Sequence, residues 1–229
     1  MWEFDDLSFE AETFSGKVRL FPLPNLVMFP HVLQPLHLFE PRYREMVESA
    51  LADDRLIALV RLEPGWEADY EGRPPVAPVA CLGKIATHHK LEEGEYNILL
   101  VGLRRIRLVR ELAPLHSFRE AEVELVEDRY PPDSAAELAA LQRKLVTRFQ
   151  ALLPRLPVAG ESLEQLLAGE VPLGVLTDVV SYTLELELDV KQQLLDEPSV
   201  AKRGERLLEI LATFEETERG GFPPRFSDN

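Results

Sequence analysis

The sequence predicts an α+β fold: a β-rich part holding one embedded helix, followed by an all-helical part. Three observations carry this reading. Up to Val126 the apolar residues fall in short runs or alternate with polar ones, the period-2 pattern of strands. Prolines crowd the first of these segments at Pro22, Pro24, Pro30, Pro35 and Pro41. A residue with a fixed φ and no amide hydrogen belongs at strand edges, bulges and turns. From Tyr130-Pro131-Pro132 onward the apolar spacing becomes that of amphipathic helices. The boundaries expected are a tail over 1–16, a β domain over 17–130, a helical bundle over 131–219 and a second tail over 220–229.

The acidic first segment carries Phe4, Leu7, Phe9 and Phe14, and reads as a frayed tail that docks partly through its aromatics. Arg19–Pro22, Val27–Phe29 and Val32–Leu38 read as short, bent strands. Pro41 suits the first position of a helix, with Glu40 at the positive end of the helix dipole. Behind it Tyr43, Met46, Val47, Ala50 and Leu51 share one helical face. Leu56–Leu62 is an apolar run that fits a buried strand. Residues 63–78 hold Pro64-Gly65, Gly72 and Pro74-Pro75, which exclude a regular element. A loop of that length in a compact domain is usually functional or disordered. Val79–Thr87 and Tyr96–Arg107 read as strands joined by a turn at Glu92-Glu93-Gly94, and Phe118–Val126 as a half-exposed strand.

Beyond Pro131-Pro132, Ser134 and Glu137 have the spacing of a capping box. Leu138, Leu141, Leu145, Phe149 and Leu152 then line one face up to Pro154. Ser162 is placed to cap a short helix that ends at Gly169, and Pro172 starts another that carries Leu176, Val179, Val180 and Leu184. Asp189 and Ser199 read as caps of the last two helices, the final one with Val200, Leu207, Leu208, Leu211 and Phe214 inward. Short helices do not persist alone in water, so these are expected to pack together.

Composition narrows the function. The chain has 229 residues, 25 basic against 40 acidic, and a net charge of −15. Phosphate binding draws on Lys and Arg, so general affinity for nucleic acid is not expected. The sequence shows no apolar run of the ~20 residues that a membrane helix needs, and its acidic start is unlike a secretory leader. Its single cysteine, Cys81, excludes an internal disulfide and a thiolate metal cage. These features together fit a cytoplasmic protein with no membrane association.

The motifs of several chemistries are missing. Gly83-Lys84 is followed by Ile85, not by the Ser or Thr of a phosphate loop, and neither GxSxG, HExxH nor GxGxxG occurs. His88-His89 are adjacent and point to opposite faces of a strand, while His31, His37 and His116 add no ligand spacing. No catalytic residue, cofactor or metal is therefore expected.

The run Leu20-Phe21-Pro22-Leu23, Phe29-Pro30 and Pro35-Leu36-His37-Leu38-Phe39-Glu40-Pro41-Arg42-Tyr43 resembles the opening signature of the Lon protease N-terminal, substrate-binding domain. Trp66–Pro75, Cys81–Ala86, Tyr96–Arg105 and Leu186–Leu211 extend the resemblance to roughly residues 17–215, most closely to the form of that domain that stands free of ATPase and protease domains. The resemblance implies a PUA-like β pseudo-barrel followed by a C-terminal helical bundle. It also implies a non-enzymatic role as a polypeptide-binding or adaptor protein in protein quality control. The partners implied are unfolded or partly folded polypeptide, with a protease as a further candidate. Oligomeric state stays open. The candidate peptide-binding residues are Phe29, Phe39, Trp66 and Tyr70. Arg105 and Arg107, on one strand face, are candidates for contacting substrate carboxylates, against the plainer reading that they pair across strands with Glu120, Glu122 and Glu124. Two alternatives remain at this stage. One is an RNA-binding PUA-like module using Arg104, Arg105, Arg107 and Arg110. The other is a hydrolase, for which no nucleophile–base pair is visible.

Overall fold

The computed structural model describes residues 8–153, 167, 169 and 171–219. Two compact units divide the chain: residues 1–127 with 185–198, and residues 128–184 with 199–229.

The first unit is built on six strands. They are β1 (Lys17–Leu23), β2 (Leu33–Leu38), β3 (Leu56–Arg61), β4 (Val79–Lys90), β5 (Tyr96–Glu111) and β6 (Arg119–Val126), with helix α1 (Pro41–Leu51) between β2 and β3. The sheet order is β2-β5-β4-β3-β1-β6, and a further β5–β6 pairing closes five of the strands into a ring. β1 and β3 are parallel; the other pairs are antiparallel. The 16-residue β5 makes closure possible. Its first half pairs with β2, from Tyr96 to Val101, and its second half with β6, from Arg105 to Glu111. Alternate residues of the ring strands fill its interior, among them Leu20, Val60, Leu82, Ile106 and Val123, with Phe9 and Phe14 packed against them.

The prolines occupy the places their chemistry allows. Pro35 lies on β2, which has a ladder partner on one side only. Pro22 pairs with Val60, but lies beyond the Lys17–Leu20 stretch where β6 meets β1. Val27–Phe29 is not a strand, contrary to expectation. It is buried coil, closed by Pro30 and by His31 at φ 66°. This coil is locked to β5 at Gly102, whose amide donates to the Val32 carbonyl at 2.9 Å and whose carbonyl accepts from His31 at 2.8 Å. A Cβ on Gly102 would stand 2.1 Å from the Phe29 carbonyl oxygen, so only glycine permits this approach.

The second unit holds α2 (Ala135–Leu152) and α3 (Leu173–Thr183), and helix α5 (Val200–Arg219). The intervening helix α4 (Leu188–Asp196) packs in the first unit, although its sequence reads as one more member of the bundle. There Gln192 Nε2 donates to the Val79 carbonyl at 3.0 Å, and Asp189 pairs with Arg61 at 2.6 Å. Two expected caps are replaced. Ser134 turns its hydroxyl to the Pro131 carbonyl at 2.7 Å and makes no side-chain cap, because the double proline leaves that carbonyl within reach. Asp189 sits inside the first turn of α4, not in front of it. Ser199 does accept from the Lys202 amide, at 3.5 Å. The cap read at Ser162 lies outside the described residues.

Three charged groups and a hydroxyl meet in the second unit. Arg203 has no exposed side-chain surface. It binds Asp128 at 2.8 and 2.9 Å and the Thr177 hydroxyl at 3.1 Å, with the fully buried Asp178 at 3.8 Å.

Candidate functional site

A cleft of about 820 Å³ opens in the first unit. Its floor is the start of α1. Pro41 occupies the first helical position, and it lines the cleft together with Glu40, Arg42, Tyr43 and Glu45. One wall is the 63–78 loop from Tyr70 to Pro74; the other is the connection from β5 to β6, with Pro114, His116, Ser117 and Phe118.

The loop is a strapped structure. Its base is zipped by the Glu63 amide to the Pro75 carbonyl at 2.9 Å and by the Ala77 amide to the Arg61 carbonyl at 2.9 Å. Trp66–Asp69 forms a 3-10 turn, after which the Gly72 amide returns to the Asp69 carbonyl at 2.9 Å. A Cβ at Gly72 would stand 2.2 Å from the Asp69 carboxylate, which would have to swing aside to admit it. Further on, Arg73 donates to the Leu112 carbonyl at 3.1 Å and Arg119 to the Pro74 carbonyl at 2.9 Å. Glu111 accepts from Arg119 through both carboxylate oxygens and gathers these two arginines.

Tyr70 is tied to the floor. Its hydroxyl donates to Glu40 Oε1 at 2.6 Å, and its carbonyl accepts from Arg42 at 3.3 Å. The Arg42 guanidinium lies 4.8 Å from the Tyr43 ring centre and 4.7 Å from that of Tyr70. Tyr43 in turn packs its edge on Phe21 at 4.6 Å. Burial pushes the Tyr43 phenol well above its ordinary range. Burial, and then the bond to Glu40, raise that of Tyr70 as well. Both therefore stay neutral at physiological pH.

On the facing wall the Ser117 hydroxyl donates a hydrogen bond to Glu45. His116 stands between two carboxylates, Glu45 at 3.4 Å and Glu120 at 3.9 Å, and stacks on Phe118 with centres 4.8 Å apart. Among the described residues no group of three or more His, Cys, Asp or Glu is placed to hold a metal ion.

The residues singled out from the sequence are spread unevenly around this cleft. Tyr70 lines it, and Trp66 leans on Tyr70, with ring centres 5.3 Å apart. Phe39 is 59% exposed immediately before Glu40. Phe29 has no exposed surface, because it fills the core behind Gly102, and it offers nothing to a ligand. Arg105 is also buried and donates to the Leu195 carbonyl at 3.0 Å, so it fastens α4 and is not presented to a carboxylate in solution. Arg107 stays exposed and faces Glu124 across the β5–β6 ladder. Arg110 forms a bidentate pair with Glu122 at 2.8 and 2.5 Å. Sequence reading missed Arg42, Tyr43, Pro114, His116, Ser117 and Phe118 as cleft residues. The stretch before Phe118 carried one advance signal, an apolar Leu115 beside Pro114 in a connection between strands, and Leu115 is 84% exposed.

A family model described as the ATP-dependent protease La (LON) substrate-binding domain matches residues 17–213. Among curated relatives, a Lon protease of Koribacter versatilis is 31% identical over 217 residues, covering 92% of this chain and 25% of that protein. A Lon protease of Azospirillum brasilense is 30% identical over 190 residues, covering 81% and 22%. The chain thus spans about a quarter of the length of the curated relatives it matches. Two solved structures share the fold. The N-terminal domain of a Mycobacterium avium complex Lon protease matches with a TM-score of 0.67 at 18% identity, covering 86% of this chain and 98% of that one. A Lon N-terminal domain protein from Xanthomonas campestris matches at 0.58 and 21% identity, covering 84% and 97%.

Proposed function

This chain belongs to the ATP-dependent protease La (Lon) substrate-binding domain family, and we propose that it captures unfolded or partly folded polypeptide in the cytoplasm without itself cutting it. One observation carries the reading. The cleft is bounded by proline and aromatic surface, with Pro22, Pro41, Tyr70, Pro74, Pro114 and Phe118 in its lining; Phe39 and Leu115, chain neighbours of lining residues, are exposed, and half-exposed Trp66 packs on Tyr70. Large aromatic side chains give much contact area at low entropy cost, which is why they dominate binding hot spots. Tyr70 contributes its ring to the wall while its hydroxyl pins the loop, so the surface is presented already ordered. In this reading a protease is a further partner and the protein serves as an adaptor.

RNA binding on a PUA-like barrel is the weaker reading. It needs a continuous basic groove. Arg105 is buried, Arg110 is occupied by Glu122, and Arg104 lies over the Phe9 ring at 6.0 Å. Among the described residues no helix is long and apolar enough to cross a membrane.

The test compares wild type with Trp66→Ala and Phe39→Ala against a reduced and alkylated, permanently unfolded protein. Losing a true hot spot costs about 2 kcal/mol or more, roughly thirtyfold in affinity. Equal affinity of both variants with unchanged melting would remove the cleft rim as the site. Binding of single-stranded RNA with a steep salt dependence, and none of the unfolded protein, would favour the other reading.

A further inference from the structure

The apolar stripe of α2 is only partly used by its own unit. Leu145, Phe149 and Leu152 are buried, but Leu138 and Leu141, from the same stripe, stay half-exposed. On α5, Leu207 and Leu211 are buried while Leu208 is left half-exposed beside them. These uncovered side chains lie together. They line a groove between α2 and α5, made of two hollows of about 640 and 440 Å³ that share Lys144 and Leu208. Half-exposed leucines scattered singly need no explanation, whereas an apolar groove rimmed by charge marks an interaction surface.

The charges along α2 fall in an order that is its own complement. Asp133 and Glu137 come first, and Lys144 and Arg148 follow. About the midpoint between Ala140 and Leu141, each acid stands as far to one side as a base stands to the other: Glu137 against Lys144, and Asp133 against Arg148. Glu137, Leu141, Lys144 and Arg148 have the spacing of one helical face. Asp133, Glu137 and Lys144 are exposed, and among the described residues none of the three has an ion-pair partner. The corresponding point on α5 is level with this midpoint. A Cβ on Gly204 would stand 2.9 Å from the Leu141 side chain, and Arg148 donates to the Leu208 carbonyl at 3.2 Å, so the two helices run side by side in one direction. Lys202 precedes Gly204 and Glu205 follows it, again a base and an acid on opposite sides.

We propose that this groove is the contact surface between two copies of the chain, related by a two-fold axis that crosses the helices near Leu141 and Gly204. That rotation lays α2 antiparallel on the partner's α2 and α5 antiparallel on the partner's α5, a four-helix arrangement with Leu138, Leu141 and Leu208 of both copies in the middle. Such an isologous contact has to be self-complementary. The order of charges on α2 meets that requirement, since each Glu137 faces a Lys144 across the axis. A partner helix of one sign would be attracted at one end of α2 and repelled at the other. The net charge of −15 opposes association at long range, but physiological salt screens it beyond about 8 Å. The α2 side of the groove, from Ser134 to Arg148, is about 21 Å long, so the contact falls at the low end of specific interfaces and the dimer is weak.

The experiment is sedimentation velocity of the full chain up to about 500 μM, where a weak dimer is populated. Wild type is compared with Lys144→Glu, with Glu137→Lys, and with an equimolar mixture of the two variants. Each variant alone is expected to associate at least about tenfold more weakly, because like charges then face each other twice across the axis. In the mixture every acid again meets a base, so a heterodimer is expected to form about as tightly as the wild-type dimer. Both positions are exposed, and thermal melting of each variant checks that the fold is kept. A wild type that stays monomeric over the whole range overturns the proposal. So does a dimer that both variants leave unchanged, which lies on another surface. Two weakened variants that do not recover on mixing overturn the two-fold pairing of Glu137 with Lys144. A monomeric wild type whose affinity for the reduced and alkylated protein is lost in Lys144→Glu gives the groove to client polypeptide, and overturns the second copy as its occupant.

Discussion

Arg203→Met should unfold the helical unit at markedly lower temperature. The guanidinium is fully buried and holds two carboxylates and a hydroxyl: Asp128 through two bonds of 2.8 and 2.9 Å, Thr177 at 3.1 Å, and Asp178 at 3.8 Å. Methionine fills similar volume but leaves Asp178, itself with no exposed surface, without its nearest opposite charge. Breaking a buried pair by removing one partner costs about 3–5 kcal/mol, most of it from the charge left behind. For a unit of under a hundred residues that corresponds to a fall in its melting temperature of about 12 °C or more. Asp128 keeps about a quarter of its side chain in solvent and can rehydrate, so Asp178 carries most of the penalty. Combining Arg203→Met with Asp178→Asn should therefore recover part of the loss. The assay is thermal and urea unfolding followed by amide resonances of α3 and α5, because the two units need not melt together. A loss below about 1 kcal/mol, or no recovery in the double variant, would refute a buried charge cluster as the keystone of this unit.

Gly102→Ala should be destabilising by about 3 kcal/mol, since the added carbon meets backbone, which cannot step aside as a side chain can; urea unfolding measures it. Asp196 gives a pH test. Burial, against a bond from Gln192, raises its folded pKa above the ordinary carboxylate value. The folded state then holds the proton more tightly, so stability contributed by the protonated group is lost as pH rises through the raised pKa. Asp196→Asn should accordingly melt higher than wild type near neutral pH, with the difference shrinking as pH falls towards the unfolded value. A variant that melts lower near neutral pH would contradict the sign.

Much of this fold was legible because period and proline chemistry are local signals. Pro41 at the head of α1, the buried Tyr43, Met46, Val47 and Ala50, and the turn at Gly94 all follow from spacing within a few residues. Ring closure was signalled only by the family resemblance and not by local period, since pairing β5 with both β2 and β6 depends on the length of one strand and a register shift between Leu108 and Arg110. The docking of α4 in the β unit was equally hidden. Its period is helical wherever it packs, and only the alignment of Arg61, Arg105 and Val79 with its polar atoms decides the place. Arg203 had a signal that was passed over: Val200, Arg203, Leu207 and Leu211 share one helical face, and a charge on that face must be paired. For the candidate site, the sequence pointed to exposed aromatics, and of these Tyr70 lines the cleft. Burial removed Phe29, because the coil that carries it is pulled under Gly102, and it removed Arg105, because α4 covers that part of β5. The cleft joins the start of α1, a loop and a β connection far apart in sequence, so no local pattern announced it.

The most direct test of polypeptide capture by this cleft is an amide chemical-shift titration of the labelled chain with a reduced and alkylated unfolded protein. The expected footprint covers Glu40–Tyr43, Tyr70–Pro74 and residues 114–119, and is weakened in Trp66→Ala. Shifts confined to the outer face of β2 and β5, or none at saturating client, would contradict it.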